Sequence, residues 1–231
     1  MRAVIVVFFA LIPFQALNAE PLRVAVAANF RHVIEELAPL FREGGGPALA
    51  VSAGSTGSLA AQILQGAPFD LFLAADEETP ARLIAEGRAV AGSQTVYAIG
   101  RLAIVFANPP GGELPDALLA ARRVAIANPA TAPYGRAAGE AIAALGLTEA
   151  LEDKLVRLRN VSAAMAAVES GAVEAAFVAH AAVIARPGHA FSLVDQTSHQ
   201  PLRQTAVTLS ASGDPAAAAA FLAFLTSAEA R

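Results

Sequence analysis

"ALAVSAGSTGSLAAQILQGAPFDLFLAADEETP", Ala48 to Pro80, reads as strand, glycine loop, helix, strand and helix start in immediate succession. "ALAVSA" is a short apolar run, and the residues from Ser58 to Gln65 place apolar side chains at helical spacing. "FDLFLAA" is a second apolar run too short for a helix, and the acidic residues around Pro80 open another helix over Glu77 to Glu86. Short strands alternating with helices imply a largely parallel sheet covered on both faces. Ligands of such sheets sit beyond the carboxyl ends of the strands, where the helices begin.

The same pattern extends in both directions. On the N-terminal side, "LRVAVAA" (Leu22 to Ala28) is followed by Asn29 and by Phe30, Val33, Ile34, Leu37 and Phe41 at helical spacing. On the C-terminal side, "RRVAIA", a helix over Tyr134 to Leu145, "LVRLRN", a helix over Val161 to Ser170, "EAAFVA" and a short helix after His180 form a second series. The apolar stretch Tyr97 to Phe106, interrupted by Gly100, reads as a strand that leaves the first unit for the second. "QTAVTLS" (Gln204 to Ser210) reads as the returning strand, and the last helix packs on the first unit. The chain is thus α/β, with residues 20–99 and 202–231 in lobe I and 100–201 in lobe II. Two crossings make a hinged pair with a cleft between the lobes, the hinge being expected near Tyr97 to Gly100 and Gln200 to Gln204.

Composition narrows the partners. A formal charge of −4 over 231 residues argues against nucleic acid or an anionic membrane surface. The absence of cysteine excludes disulfides, thiolate catalysis and thiolate-bound metals. The first nineteen residues, with Arg2, an apolar run from Ala3 to about Leu11 and a small Ala19, read as a secretory signal over residues 1–19. The mature protein is expected to be exported and soluble.

Chemistry concentrates at the strand-to-helix junctions. "GSTGS" surrounds Ser55 and Thr56 with glycines just before a helix, a site where free N–H groups and a helix dipole favour an anion. Thr56 sits at a helix entrance outside the core, so removing its hydroxyl is expected to spare stability. Asn29 reads equally as a helix cap or a ligand-facing residue. Tyr134 and Gly135 open a helix after Pro133, and Asn160, Val161 and Ser162 open another. Asp70 and Asp76 read as structural, since carboxylates facing a bound anion would repel it. His32, His180, His189 and His199 show no metal spacing, and neither G-x-S-x-G nor a phosphate-loop motif occurs.

These junctions, "VAVAANF", "GSTGSLAAQILQGAPFDLFLAAD", "YAIGRLAIVF", "NPATAPYGRAA" and "NVSAAMAAVESGAVEAAFV", together resemble the periplasmic molybdate-binding proteins of bacterial ABC transporters across nearly the whole mature chain. The resemblance implies a two-lobed, type II periplasmic binding protein fold, each lobe a mixed, mostly parallel sheet flanked by helices. It implies a periplasmic monomer, not an enzyme and without a cofactor, that captures molybdate or tungstate and delivers it to an inner-membrane permease. The implied oxyanion contacts are Asn29, Thr56, Ser58, Tyr134 and the backbone N–H of Val161, with the metal reached only through its oxygens. Some members carry a hydroxyl residue where Ala28 stands, and others a ligand tyrosine where Ala179 stands; Tyr134 takes over that role here. The rival readings are a binder of sulfate, phosphate or another anion, a periplasmic enzyme using His180 or Asp76 as base, and the sensing domain of a regulator.

Overall fold

The computed structural model describes residues 20–230, so the signal segment expected over residues 1–19 lies outside the described residues. The chain builds β1 (Leu22–Ala27), β2 (Leu49–Gly54), β3 (Leu71–Ala74) and β4 (Thr95–Gly100). It then adds β5 (Leu102–Phe106), β6 (Val124–Ala127), β7 (Leu155–Leu158), β8 (Ala175–Ala179) and β9 (Ala190–Leu193), and returns with β10 (Leu202–Thr208). Two five-stranded sheets result, ordered β2-β1-β3-β10-β4 and β7-β6-β8-β5-β9. In the first, β2, β1 and β3 are parallel while β10 runs antiparallel to both β3 and β4. In the second, β7, β6 and β8 are parallel while β5 runs antiparallel to both β8 and β9. The architecture is therefore two-lobed α/β with mixed, mostly parallel sheets.

The helices are α1 (Arg31–Glu43), α2 (Thr56–Leu64), α3 (Glu78–Ala85), α4 (Asp116–Ala120), α5 (Pro133–Ala144), α6 (Thr148–Leu151), α7 (Val161–Glu169), α8 (His180–Ile184) and α9 (Pro215–Leu225). Helix α1 buries Ile34, Leu37 and Phe41 on one stripe. Phe41 meets Phe221 of α9 edge-on at 4.9 Å, which seats the last helix on the first lobe as its apolar pattern predicts. Asp70, just before β3, accepts from the backbone N–H and the guanidinium of Arg23 on β1 and from the N–H of Gly213. It ties the amino ends of two parallel strands to the loop leading into α9.

Three features differ from the sequence reading. The stretch Tyr97 to Phe106 is two strands, broken at Arg101, with β4 at the edge of the first sheet and β5 inside the second. Gln204, expected in a flexible connection, is a ladder residue opposite Ala98, because β4 and β10 stay paired up to Leu202 opposite Gly100, while Tyr97 lies within β4 at the bulge where the register shifts. Strand β9 and the short helices α4 and α6 carry too few residues to show a period.

Candidate functional site

A small cavity lies between the lobes, walled by Ala28 and Asn29 after β1, Gly54 at the end of β2 with Ser55 and Thr56 after it, and Ala75 after β3. From the other lobe come Pro133 and Tyr134, beyond β6, and Asn160 and Val161, beyond β7. All of these positions lie at or beyond the carboxyl ends of parallel strands, where strand-to-helix connections converge. The space for the centres of water-sized molecules is about 10 Å³, the scale of one bound water.

Three helices begin at this cavity. Ser55 caps α2: its hydroxyl accepts from the Ser58 N–H, while the Gly57 N–H donates to Thr131 O across the cleft at 2.8 Å. That leaves the Thr56 N–H as the free donor of the first turn among the described residues. Pro133 opens α5 without an N–H of its own, so the next donor is that of Tyr134. Asn160 caps α7 by accepting from the Ala163 N–H at 2.9 Å, leaving the N–H groups of Val161 and Ser162 free among the described residues. Their partial positive charges converge without any cationic side chain in the wall.

The side chains complete the donor set. Thr56 is 1 % exposed, and its Oγ1 accepts from the Ala75 N–H at 3.0 Å, which directs its own proton elsewhere. This corrects the expectation that Thr56 lies outside the core: its oxygen satisfies a buried backbone donor. Tyr134 is 3 % exposed, and its hydroxyl has no hydrogen-bond partner among the described residues. Burial pushes its phenol pKa upward, so it remains a proton donor across the physiological range.

Asn29 does not cap a helix. It lies within a single 3₁₀ turn, Ala28–Phe30, and its Nδ2 donates to Gln204 Oε1 at 2.6 Å. The Tyr97 hydroxyl stands 3.2 Å from the same oxygen and 3.0 Å from Ala74 O, sharing its proton between them. Tyr97, Gln204 and Asn29 thus form a buried polar bracket that fixes the amide beside the cavity. Pattern reading missed this bracket because Gln204 sits between Arg203 and Thr205 in a strand of mixed polarity, where one more polar residue carries no signal of burial.

Ser58 is placed differently from its neighbours. Its hydroxyl donates to Ser55 O at 3.0 Å, and it lines a larger groove outside the cavity together with Arg31, His32, Arg159 and Arg186. Ser55, which the sequence reading did not single out as a contact, lines both spaces. Asp76 accepts from the N–H and hydroxyl of Thr79 at the start of α3, as its acidic context suggested, and also bridges the lobes through Arg136 at 2.8 Å. His180 packs its ring against Phe191; burial, and then the charge of Arg101, hold its pKa below the usual histidine value. Neither Asp76 nor His180 lines the cavity.

The lobes stand closed over this site. Besides Gly57 to Thr131 and Arg136 to Asp76, the Ser162 hydroxyl donates to Ala28 O at 2.9 Å. At Gly57 a β-carbon would stand 3.0 Å from Thr131 O, so a larger residue would push against the opposite lobe.

Residues 22–231 match the family described as bacterial extracellular solute-binding protein. The molybdate-binding protein ModA of Rhodobacter capsulatus is 40 % identical over 208 residues, covering 89 % of this chain and 82 % of that protein. The molybdate-binding protein ModA of Azotobacter vinelandii is 40 % identical over 216 residues, covering 91 % and 86 %. The solved periplasmic molybdate-binding protein of Azotobacter vinelandii superposes with a TM-score of 0.86 at 33 % identity, covering 90 % of this chain and 94 % of that one.

Proposed function

The chain belongs to the bacterial extracellular solute-binding proteins and, within them, to the molybdate-binding proteins; from that premise we propose that it captures molybdate, and tungstate with it, in the interlobe cavity and delivers it to an inner-membrane ABC permease. It works as a periplasmic monomer whose signal segment is removed, with no reaction to catalyse and no cofactor. The observation that carries this reading is the convergence of unpaired donors from both lobes: the Thr56 hydroxyl and N–H, the Tyr134 hydroxyl and N–H, and the Val161 N–H. Asn29, held by Gln204, lines the same wall. Ser58 acts through the cap, since its hydroxyl is engaged with Ser55.

Neutral donors suit an anion that has to be released again. Each replaces a hydrating water by a charge-assisted hydrogen bond, and three helix N-termini balance the charge without an ion pair. A tetrahedral oxyanion exceeds one water in size, so the lobes close on it slightly wider than in this structure. Because its contacts come from both lobes, the anion stabilises the closed state by the contacts that state alone completes. The permease then reads closure.

A wall of donors also selects. Protonated phosphate would bury an O–H facing further donors, an unsatisfied group costing about 1–3 kcal/mol. Sulfate carries no proton and is rejected by its smaller size. Titration calorimetry of the mature protein with molybdate, tungstate, sulfate and phosphate tests this. One tight site for molybdate and tungstate is expected, with phosphate weaker by about tenfold or more. Equal affinity for phosphate or sulfate would replace the reading with a general oxyanion carrier.

A further inference from the structure

Tyr134 lines the cavity, and its hydroxyl stands against the hinge. Gly100 ends β4 and is paired with Leu202, the first residue of β10, so both chain crossings between the lobes meet at this point. A β-carbon on Gly100 would overlap hard with the Tyr134 hydroxyl and stand 3.1 Å from both Tyr134 Cζ and Leu202 Cβ. The backbone at Gly100 is not in the left-handed region, so conformation does not demand glycine here; space does. The tyrosine whose hydroxyl fills this space comes from the opposite lobe and is 3 % exposed as a residue, and the hydroxyl has no hydrogen-bond partner among the described residues.

Resting on the oxyanion reading above, we infer that Gly100 is a positioning residue for ligand binding: its missing side chain lets the Tyr134 hydroxyl stand against the hinge and point its proton at the anion. The tyrosine thereby links the two events the protein has to couple. A hydroxyl wedged against the crossing strands changes its setting when the lobes rotate, so the anion's bond to Tyr134 forms best at one hinge angle. A methyl group at position 100 takes the hydroxyl's place and withdraws the donor.

A double-mutant cycle separates this role from a general need for glycine. Molybdate affinity is measured by calorimetry in the full mature protein, in Gly100→Ala, in Tyr134→Phe and in the double variant, with thermal unfolding of each. Gly100→Ala is expected to weaken binding about tenfold or more, the scale of one lost bond to a charged acceptor. In the Tyr134→Phe background, which has no hydroxyl to displace, the same alanine is expected to cost no more than about twofold. If Gly100→Ala fails to fold alone but folds beside Tyr134→Phe, the steric link is likewise supported. Multiplying losses in the double variant, parent-like affinity in Gly100→Ala, or unfolding in both backgrounds would overturn the inference while leaving the molybdate reading intact. A parent protein that binds no molybdate overturns both, and is seen before any variant is made.

Discussion

Thr56 shows how one side chain can serve the fold and, in the proposed site, the ligand as well. Its oxygen accepts from Ala75 N–H, and its proton is free for the cavity. Thr56→Val removes both roles: loss of the donor weakens molybdate by about 1.5–3 kcal/mol, and the orphaned Ala75 N–H costs about 1–3 kcal/mol of stability. Thr56→Ser keeps both groups and is expected to bind within a few-fold of the parent; calorimetry and thermal unfolding read the two effects separately. A Val variant that unfolds at the parent temperature would show that Ala75 N–H finds another partner. At this scale the sequence was informative about location and silent about direction. Glycines and hydroxyls marked the junction at Ser55 to Ser58, but the turn of the N-cap turns Ser55 and Thr56 toward the cavity and Ser58 away from it. Asn29 is aimed by Gln204, 175 residues along the chain, a partner that no local pattern announces.

At the scale of elements, helix starts and strand ends carry the proposed binding site and part of the stability. Asn160→Ala removes the cap of α7 and is expected to cost about 0.5–2 kcal/mol of stability. Because the first turn carries the Val161 N–H, molybdate affinity should fall with it; Asn160→Ser, which keeps a capping oxygen, should restore most of both. Asp70 anchors the opposite ends of β1 and β3. Burial alone would raise its pKa, but the hydrogen bonds from the Arg23 guanidinium, the Arg23 N–H and the Gly213 N–H outweigh that and hold it below the usual carboxylate range. A lowered carboxylate pKa gives stability that is complete above the unfolded value near 3.9 and is lost as pH falls through the folded value. The stability difference between the parent and Asp70→Asn should therefore be constant above about pH 5 and shrink below about pH 4. Chemical unfolding at several pH values measures it, and a difference unchanged into acid would mean the pairing contributes nothing. The elements from β1 to β3 and from β6 to β8 were legible because each strand is a short apolar run bounded by a helix of the other period. Strand β9, only four residues long, offers no such contrast.

At the scale of the whole molecule, the two crossings were legible as one apolar stretch and one returning strand. The ladder between β4 and β10 was not, because pairing across about a hundred residues leaves no local trace. That ladder confines the crossing to Arg101 and the segment just before Leu202, and it brings Gly100, Leu202 and Tyr134 together. Closure draws contacts from both lobes, among them Gly57 to Thr131 and Asp76 to Arg136. The closed arrangement is the one the anion selects, so the free protein in solution is expected to be more open than this structure, and in small-angle X-ray scattering saturating molybdate is expected to reduce the radius of gyration while the far-ultraviolet circular dichroism stays the same. Identical scattering curves in both conditions would remove closure as the signal to the permease. The central claim is that the oxyanion sits between the lobes on neutral donors, and crystals of the molybdate complex measured at the molybdenum absorption edge test it most directly. The account predicts one anomalous peak per chain inside the cavity, with ligand oxygens within hydrogen-bonding distance of Thr56 Oγ1, the Tyr134 hydroxyl and the Val161 N–H. A peak in the outer groove beside Arg31, Arg159 or Arg186, with the cavity empty, would contradict it.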